Sequence, residues 1–375
     1  MKILFTGGGS GGHFYPILSV AKEIQKLSKE HRLLAPKLYY VSDTPYNEAL
    51  LYDNDIIYRK NSAGKRRLYF SVSNFFDLFR TAWGIITALW TVFNIYPDVV
   101  FSKGGYASFP VMVAARFFRI PIIIHESDTV PGRVNKFSGK FARRVAVSFE
   151  EAAKFFQSDK IAVTGNPVRE EITQPLTEGA HEFLKLDNST PVILVLGGSL
   201  GAQMINDIII DSLPELVKKY QIIHQTGKNN FAEITSRADA VLFNNRYRAR
   251  YKSFDYLNEL AMRMSAGVAS IVISRAGSSI FEIASWGKPS ILIPITVSNG
   301  DHQRKNAYAY ARNKACVVLE ESNVTPHILL SEIDRILTKE GEKEAMSVAA
   351  KSFFKPGAAR DIAKEILTIA IEHEK

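Results

Sequence analysis

Twice along this chain of 375 residues, a short apolar run breaks into a glycine-rich turn and then a helical pattern. The first is Ile3-Leu4-Phe5-Thr6 entering Gly7-Gly8-Gly9-Ser10-Gly11-Gly12-His13. The second is Val192-Ile193-Leu194-Val195-Leu196 entering Gly197-Gly198-Ser199-Leu200-Gly201-Ala202-Gln203. A strand, a glycine turn and a helix N-terminus make an anion cradle, because free backbone N–H groups and the helix dipole both favour negative charge. One such turn in each half predicts two doubly wound lobes facing each other across a cleft, an arrangement suited to an activated, phosphate-bearing substrate.

The rest of the pattern agrees with an α/β class. Apolar β-type runs fall at 2–6, 37–42, 98–102, 121–125, 144–148 and 160–164, with helical stretches over 13–29, 75–95 and 107–117. Further runs follow at 192–196, 221–225, 270–274, 289–295 and 316–319, and a last helix from Ala358 to Ile371. Such alternation implies parallel sheets in two Rossmann-like domains. The expected division is 1–165, a polar, proline-bearing linker at 166–190, a second domain at 191–355, and a C-terminal helix at 356–375 packing back toward the first domain.

Charge separates the halves. Residues 1–165 hold 22 Lys and Arg against 13 Asp and Glu, so the whole net charge of +9 belongs to them; the remaining residues balance at 25 each. That half should meet an anionic partner. Nucleic acid is excluded, since no recognition helix, zinc-ligand spacing or RNA-binding aromatic signature is present. A membrane surface fits better. Residues 75–93, with Phe75, Phe76, Leu78, Phe79, Trp83, Trp90 and Phe93, follow Lys65-Arg66-Arg67. Asp77 and Arg80 interrupt the run, which argues against a spanning helix and for one lying in the interface, or else one buried on the sheet. A single cysteine, Cys316, and a first strand that begins at Lys2 point to a reducing, cytoplasmic setting.

Several residues invite chemistry, each with a plainer reading beside it. Gly7-x-Gly9-x-x-Gly12 with Asp43 fits a dinucleotide fingerprint, although the glycines are denser than it requires. His13, in the first helical turn, would be kept a neutral base by the dipole, or is only a residue at a helix start. Glu282 lies one turn past Gly277 and could take a pair of vicinal hydroxyls, while Ser279-x-x-Glu282 also reads as a capping box. The polar stretch 298–306, with Asp301, His302, Gln303 and Arg304, suits either a binding rim or a solvated helix start. Asp53-x-Asp55 resembles a metal-binding acid pair but lies away from any glycine turn, so no metal and no cofactor are expected.

Together these segments resemble the MurG family of peptidoglycan glycosyltransferases nearly end to end. The resemblance rests on Gly8 to His13 with Pro16, Lys103-Gly104-Gly105-Tyr106-Ala107-Ser108 with Pro110, and His125-Glu126 with Asn135-Lys136. It continues through Gly165-Asn166-Pro167-Val168-Arg169, Gly197 to Ala202, His224-Gln225-Thr226-Gly227-Lys228, Arg275-Ala276-Gly277, Glu282-Ile283-Ala284, and His302-Gln303 to Asn306-Ala307. It implies a GT-B fold and transfer of N-acetylglucosamine from UDP-GlcNAc to the C4 hydroxyl of the muramoyl sugar of undecaprenyl-linked lipid I, giving lipid II at the cytoplasmic face of the plasma membrane.

Carried over by residue, it implies donor contacts from Ser10, Gly11, Gly12, Arg169, Ser199, Ser278, Ser279, Ile280, Phe281, Glu282, His302 and Gln303. The acceptor side would be Gly105, Tyr106, His125, Asp128 and Asn135, and the base His13, with Asp128 and Glu126 as the other candidates. Asp128 departs from the family, which usually has asparagine there, and the segment Arg275 to Glu282 is one residue shorter than usual. The competing readings are a transferase using another lipid acceptor, a UDP-GlcNAc epimerase, a non-enzymic binder of sugar nucleotides, and a dehydrogenase.

Overall fold

The computed structural model describes residues 1–64, 73–198, 201–296 and 299–374. They form two compact units: Met1–Arg169 with Lys355–Lys375, and Glu170–Phe354. The basic flank Lys65-Arg66-Arg67 and the donor candidate Ser199 lie outside the described residues.

The first unit runs β1 (Lys2–Thr6), α1 (Gly11–Glu30), β2 (Lys37–Ser42), α2 (Glu48–Asp53), β3 (Ile56–Lys60), α3 (Ser73–Ile95) and β4 (Val99–Ser102). It continues with α4 (Phe109–Phe117), β5 (Ile122–Glu126), α5 (Arg133–Ser138), β6 (Arg144–Val147), α6 (Glu150–Ala153) and β7 (Ile161–Val163). The strands form one seven-stranded sheet in the order β3-β2-β1-β4-β5-β6-β7, and every pair described is parallel.

The strands read as unbroken apolar runs because both sheet faces are covered. In β1, Ile3 and Phe5 pack toward α1, while Leu4 packs with Ala88, Val92, Val111 and Ile124 on the other face.

The second unit runs α7 (Ala180–Phe183), β8 (Val192–Leu196), α8 (Gln203–Lys219), β9 (Gln221–Gln225), α9 (Phe231–Val241), β10 (Tyr251–Phe254), α10 (Glu259–Val268) and β11 (Ala269–Ser274). Then come α11 (Ser279–Trp286), β12 (Ser290–Leu292), α12 (His302–Arg312), β13 (Cys316–Val318), α13 (Pro326–Thr338) and α14 (Glu342–Phe353). Its sheet has the order β10-β9-β8-β11-β12-β13, again parallel. Ile193 and Val195 meet Ile209, Leu213 and Ile333 on one face, and Leu194 meets Ile280, Ile283 and Tyr310 on the other.

The final helix, α15 (Ala358–Glu374), packs on α1 of the first unit through Ile362, Ala363, Ile366 and Ala370. Arg360 adds an ion pair to Glu30 at 2.6 Å.

The expected linker at 166–190 is corrected by the structure. The boundary falls between Arg169 and Glu170, and the residues after it are built into the second unit. Nε1 of Trp286 donates to the Ile172 carbonyl at 2.8 Å, the Leu176 amide donates to the Arg263 carbonyl at 3.0 Å, and Ile172 is fully buried.

Candidate functional site

Both sheets wind outward from a central pair of strands: β1 and β4 in the first unit, β8 and β11 in the second. At such a switch point adjacent connections leave in opposite directions, so the loops after the two central strands diverge and leave room for a ligand. The described residues of the four loops concerned are Gly7 to Ser10, Lys103 to Gly105, Gly197-Gly198 with Gly201-Ala202, and Arg275 to Ser278.

In the first unit the two loops touch. A Cβ on Gly105 (φ +81°) would lie 2.9 Å from Cα of Gly8 and 3.6 Å from Nε2 of His13. Ser10 occupies the N-cap of α1 without capping it. Its hydroxyl turns instead to Nδ1 of His13, 2.8 Å away. The His13 imidazole is pulled from the ordinary 6.5 down to about 4, first by burial and then by the Lys103 ammonium, with the Asp128 carboxylate opposing. Burial and Lys103, more than the helix terminus invoked from sequence, therefore account for its neutrality.

Beside it, β5 and the turn that follows carry His125, Glu126, Ser127 and Asp128. His125 is fully buried and held well below its usual range by burial and by Lys103. Nζ of Lys103 lies 2.5 Å from its Nδ1, and its Nε2 lies 3.0 Å from the Gly165 carbonyl. Both carboxylate oxygens of Glu126 are engaged. Oε1 accepts from the Asp128 amide at 2.9 Å, and Oε2 accepts from the Gly132 amide at 3.0 Å and from Nδ2 of Asn135 at 2.9 Å. Burial, reinforced by the Asp128 charge, raises Glu126 to about 7, against those hydrogen bonds. Glu126 and Asn135 thus brace the turn, and Asp128 is the more exposed carboxylate.

Tyr106, in the short turn Tyr106–Ser108, donates its hydroxyl to Oδ2 of Asp43. That contact occupies the acid which the dinucleotide reading assigns to a ribose. Arg169 lays its guanidinium over the Tyr15 ring, 4.1 Å from the centroid, at the start of α1.

In the second unit, a Cβ at Gly198 (φ +78°) or Gly277 would meet nothing within 4 Å among the described residues. Backbone can therefore approach a ligand there. Ser279 does not take the N-cap position that the capping-box reading gives it. The N-cap is Ser278, and the Ser279 hydroxyl bonds back to the Arg275 carbonyl at 3.1 Å and to Oγ of Ser274 at 3.1 Å. Glu282 is partly exposed one turn in.

The side chains of Ile280 and Phe281 are core: Ile280 is fully buried and Phe281 stacks on Phe353 at 6.0 Å. What they can offer a ligand is backbone only.

Asp301 (φ +59°) starts α12, putting His302 and Gln303 in its first turn. Oε1 of Gln303 accepts from the Ile295 amide at 3.2 Å, and Nδ2 of Asn306 reaches the Ala276 carbonyl at 3.2 Å, tying α12 to the β11 turn. Arg275 is absorbed structurally, bonded to the Ile293 carbonyl at 2.9 Å and to Glu321 at 2.5 Å.

Asp53 ends α2 and Asp55 follows with φ +54°. Among the described residues no group of three or more His, Cys, Asp or Glu is placed to share a metal ion. The residue of this cluster that sequence reasoning did not single out is Lys103. Quoted there only as part of a glycine motif, it is buried at the centre of the His13, His125 and Asp128 cluster.

Residues 3–147 match the Glycosyltransferase family 28 N-terminal domain, and residues 192–364 its C-terminal domain. The chain is 37% identical over 355 residues, covering 94% of itself and 95% of the relative, to UDP-N-acetylglucosamine--N-acetylmuramyl-(pentapeptide) pyrophosphoryl-undecaprenol N-acetylglucosamine transferase 3 of Bacillus thuringiensis. It is 35% identical to the transferase of that name from Clostridium novyi, covering 94% of each chain.

Among solved structures, MurG of Acinetobacter baumannii superposes with a TM-score of 0.73 at 24% identity, covering 98% of this chain and 99% of that one. A UDP-GlcNAc 2-epimerase from Neisseria meningitidis, bound to UDP-GlcNAc, reaches 0.66 at 16% identity over 99% and 100%. These two likenesses bear on fold alone. With both domains matched and near full-length relatives above a third identical, the chain belongs to glycosyltransferase family 28, among the MurG-type N-acetylglucosamine transferases.

Proposed function

We propose that this chain is an inverting glycosyltransferase. It moves N-acetylglucosamine from UDP-GlcNAc to the C4 hydroxyl of MurNAc in undecaprenyl-linked lipid I, forming lipid II for peptidoglycan synthesis. The observation that carries the reading is the 37% identity to a transferase of that name across 94% of the chain. The glycine turns at both switch points support it physically, since each suits an anion.

In this reading the second unit holds the donor. Glu282 accepts from the ribose hydroxyls, Ser278, Ser279, Ile280 and Phe281 run along the nucleotide, and Ser199, His302 and Gln303 complete the set. Ser10, Gly11, Gly12 and Arg169 serve the diphosphate; Gly105, Tyr106 and Asp128 face the acceptor, and the buried His125 and Asn135 support that side from beneath. Nε2 of neutral His13 takes the proton of the acceptor hydroxyl as that oxygen attacks the anomeric carbon. The bond to UDP breaks on the opposite face. Charge developing on the diphosphate is met by backbone amides and helix N-termini, so no metal ion is required.

Labelled UDP-GlcNAc incubated with a short-chain lipid I analogue tests this directly. Label should move to the lipid-linked product at a rate that excess chelator leaves unchanged. A requirement for Mg²⁺ would refute the metal-free step. The fold likeness to a UDP-GlcNAc 2-epimerase supplies the second reading, which an epimerised product formed without acceptor would select.

We further infer that the enzyme works as a peripheral protein on the anionic cytoplasmic leaflet. One face of α3 buries Ala88, Val92 and Ile95 in the first unit's core, and the other presents Phe79, Trp83, Ile86, Trp90 and Phe93 to solvent. Trp83 and Trp90 are 60% and 69% exposed, which supports the interfacial reading for the outer face. Phe76–Ile95 has the length and mean hydropathy of a membrane span, but its inner face is part of the sheet's core. An aromatic stripe on a basic domain suits interfacial binding. Co-sedimentation with liposomes should rise with anionic lipid content and fall with salt.

A further inference from the structure

Lys103 is the least expected residue of the cluster. It follows β4 in the turn with Gly104 and Gly105, and only 2% of it is exposed. Lysines are seldom buried to that degree without partners. Its ammonium protons have three acceptors: Nδ1 of His125 at 2.5 Å, Oγ of Ser127 at 2.8 Å and Oδ1 of Asn166 at 3.5 Å. All three acceptors are neutral. The compensating charge comes from Glu126 and Asp128, whose carboxylates both act on it.

We propose that Lys103 is a positioning residue for the transfer reaction: its buried ammonium fixes the tautomer of His125 and offsets the Glu126 and Asp128 carboxylates beside the first glycine loop. A cation donating to Nδ1 of His125 leaves the ring proton on Nε2, which donates to the Gly165 carbonyl at 3.0 Å; Oγ of Ser148 lies 3.3 Å from the same nitrogen. The ring is thereby clamped between β4 and the segment after β7. The same charge acts on His13 from across the loop and favours its neutral form. The titratable groups acting on the cluster are His13 from α1, His125 and Glu126 from β5, and Asp128 from the turn after it; Asp43, at the end of β2, is bonded to Tyr106.

This role rests on the transferase reading, and the test separates the two. The pH profile of kcat/KM is measured for the wild type, Lys103→Met and Lys103→Arg. Without the cation His13 keeps its proton to higher pH, so the acid limb of Lys103→Met should move up by about one unit, and activity on that limb should fall about tenfold. Lys103→Arg should leave the limb in place, and KM for UDP-GlcNAc should stay within about twofold in both. A folded Lys103→Met enzyme whose limb does not move overturns the proposal.

Should Lys103→Met not fold, Asp128→Asn compared with Lys103→Met/Asp128→Asn gives the same contrast with the opposing charge removed. A limb common to both variants again overturns it. A wild type that transfers no sugar refutes the transferase reading instead. In that case the ¹⁵N shifts of His125 still decide, since a single Nε2–H tautomer in the wild type should become mixed in Lys103→Met, and an unchanged tautomer contradicts the role.

Discussion

Oγ of Ser10 lies 2.8 Å from Nδ1 of His13, so the N-cap residue of α1 orients a ring it does not cap. With Nδ1–H donated to that hydroxyl, the lone pair on Nε2 is the basic one. His13→Ala should lower kcat by about 10²–10⁴-fold, the usual worth of a general base, with UDP binding retained. Ser10→Ala should cost only a few-fold, since the ring keeps its place against Gly8 and Gly105. Turnover of His13→Ala near the wild-type value would remove His13 as the base.

The pH dependence of stability follows from the histidines. His224 is fully buried and held down at about 3 by burial, with His13 at about 4 and His125 also low. Between those values and the unfolded 6.5, the unfolded chain binds more protons than the native one, so stability falls as pH falls through that window. Each histidine contributes at most about 1.4 kcal/mol per pH unit. Thermal unfolding should show a Tm dropping steadily below pH 6.5, and His224→Gln should flatten the slope for the second unit.

Two glycines in one loop should behave differently. At Gly201 (φ +80°) a Cβ would sit 2.4 Å from Nδ2 of Asn230 and 2.5 Å from the Thr226 carbonyl. Gly201→Ala therefore adds a backbone clash to the left-handed penalty of about 1–2 kcal/mol. Gly198→Ala carries that penalty alone, because among the described residues nothing lies within 4 Å of its Cβ. Calorimetry should show the larger loss of Tm for Gly201→Ala. Gly198→Ala should instead show its main effect in KM for UDP-GlcNAc.

The exposed stripe of α3 should separate membrane binding from stability. Trp83→Ala and Trp90→Ala remove mostly exposed surface, so Tm should change little while partition to anionic liposomes falls several-fold. Val92→Ala, on the buried face, should lower Tm and leave partition to the folded fraction intact.

The central strands and both glycine turns were legible in the sequence because strands buried on both faces must be apolar throughout. Two strands escaped notice, β3 and β10, and both lie at a sheet edge. In β3 only Ile56 is buried while Arg59 and Lys60 face water, and every residue of β10 is partly exposed, so neither makes a run. Proline and polar residues made 166–190 look like a linker. The anchoring of Ile172 to Trp286 and of Leu176 to Arg263 joins positions about ninety or more residues apart, which local composition does not encode.

Ser279-x-x-Glu282 has capping-box spacing, but the N-cap falls one residue earlier, at Ser278, and spacing does not report that register. Lys103 was invisible for a similar reason. Its burial is created by β5 lying beside β4, which brings His125 to its ammonium.

The most direct test follows the anomeric proton of N-acetylglucosamine by NMR, with the chain, UDP-GlcNAc and a short-chain lipid I analogue in one tube. The account predicts that the α-linked donor signal is replaced by a β-linked disaccharide as UDP is released, at the same rate with chelator present. A retained α linkage, or sugar nucleotide consumed without any acceptor, would contradict it.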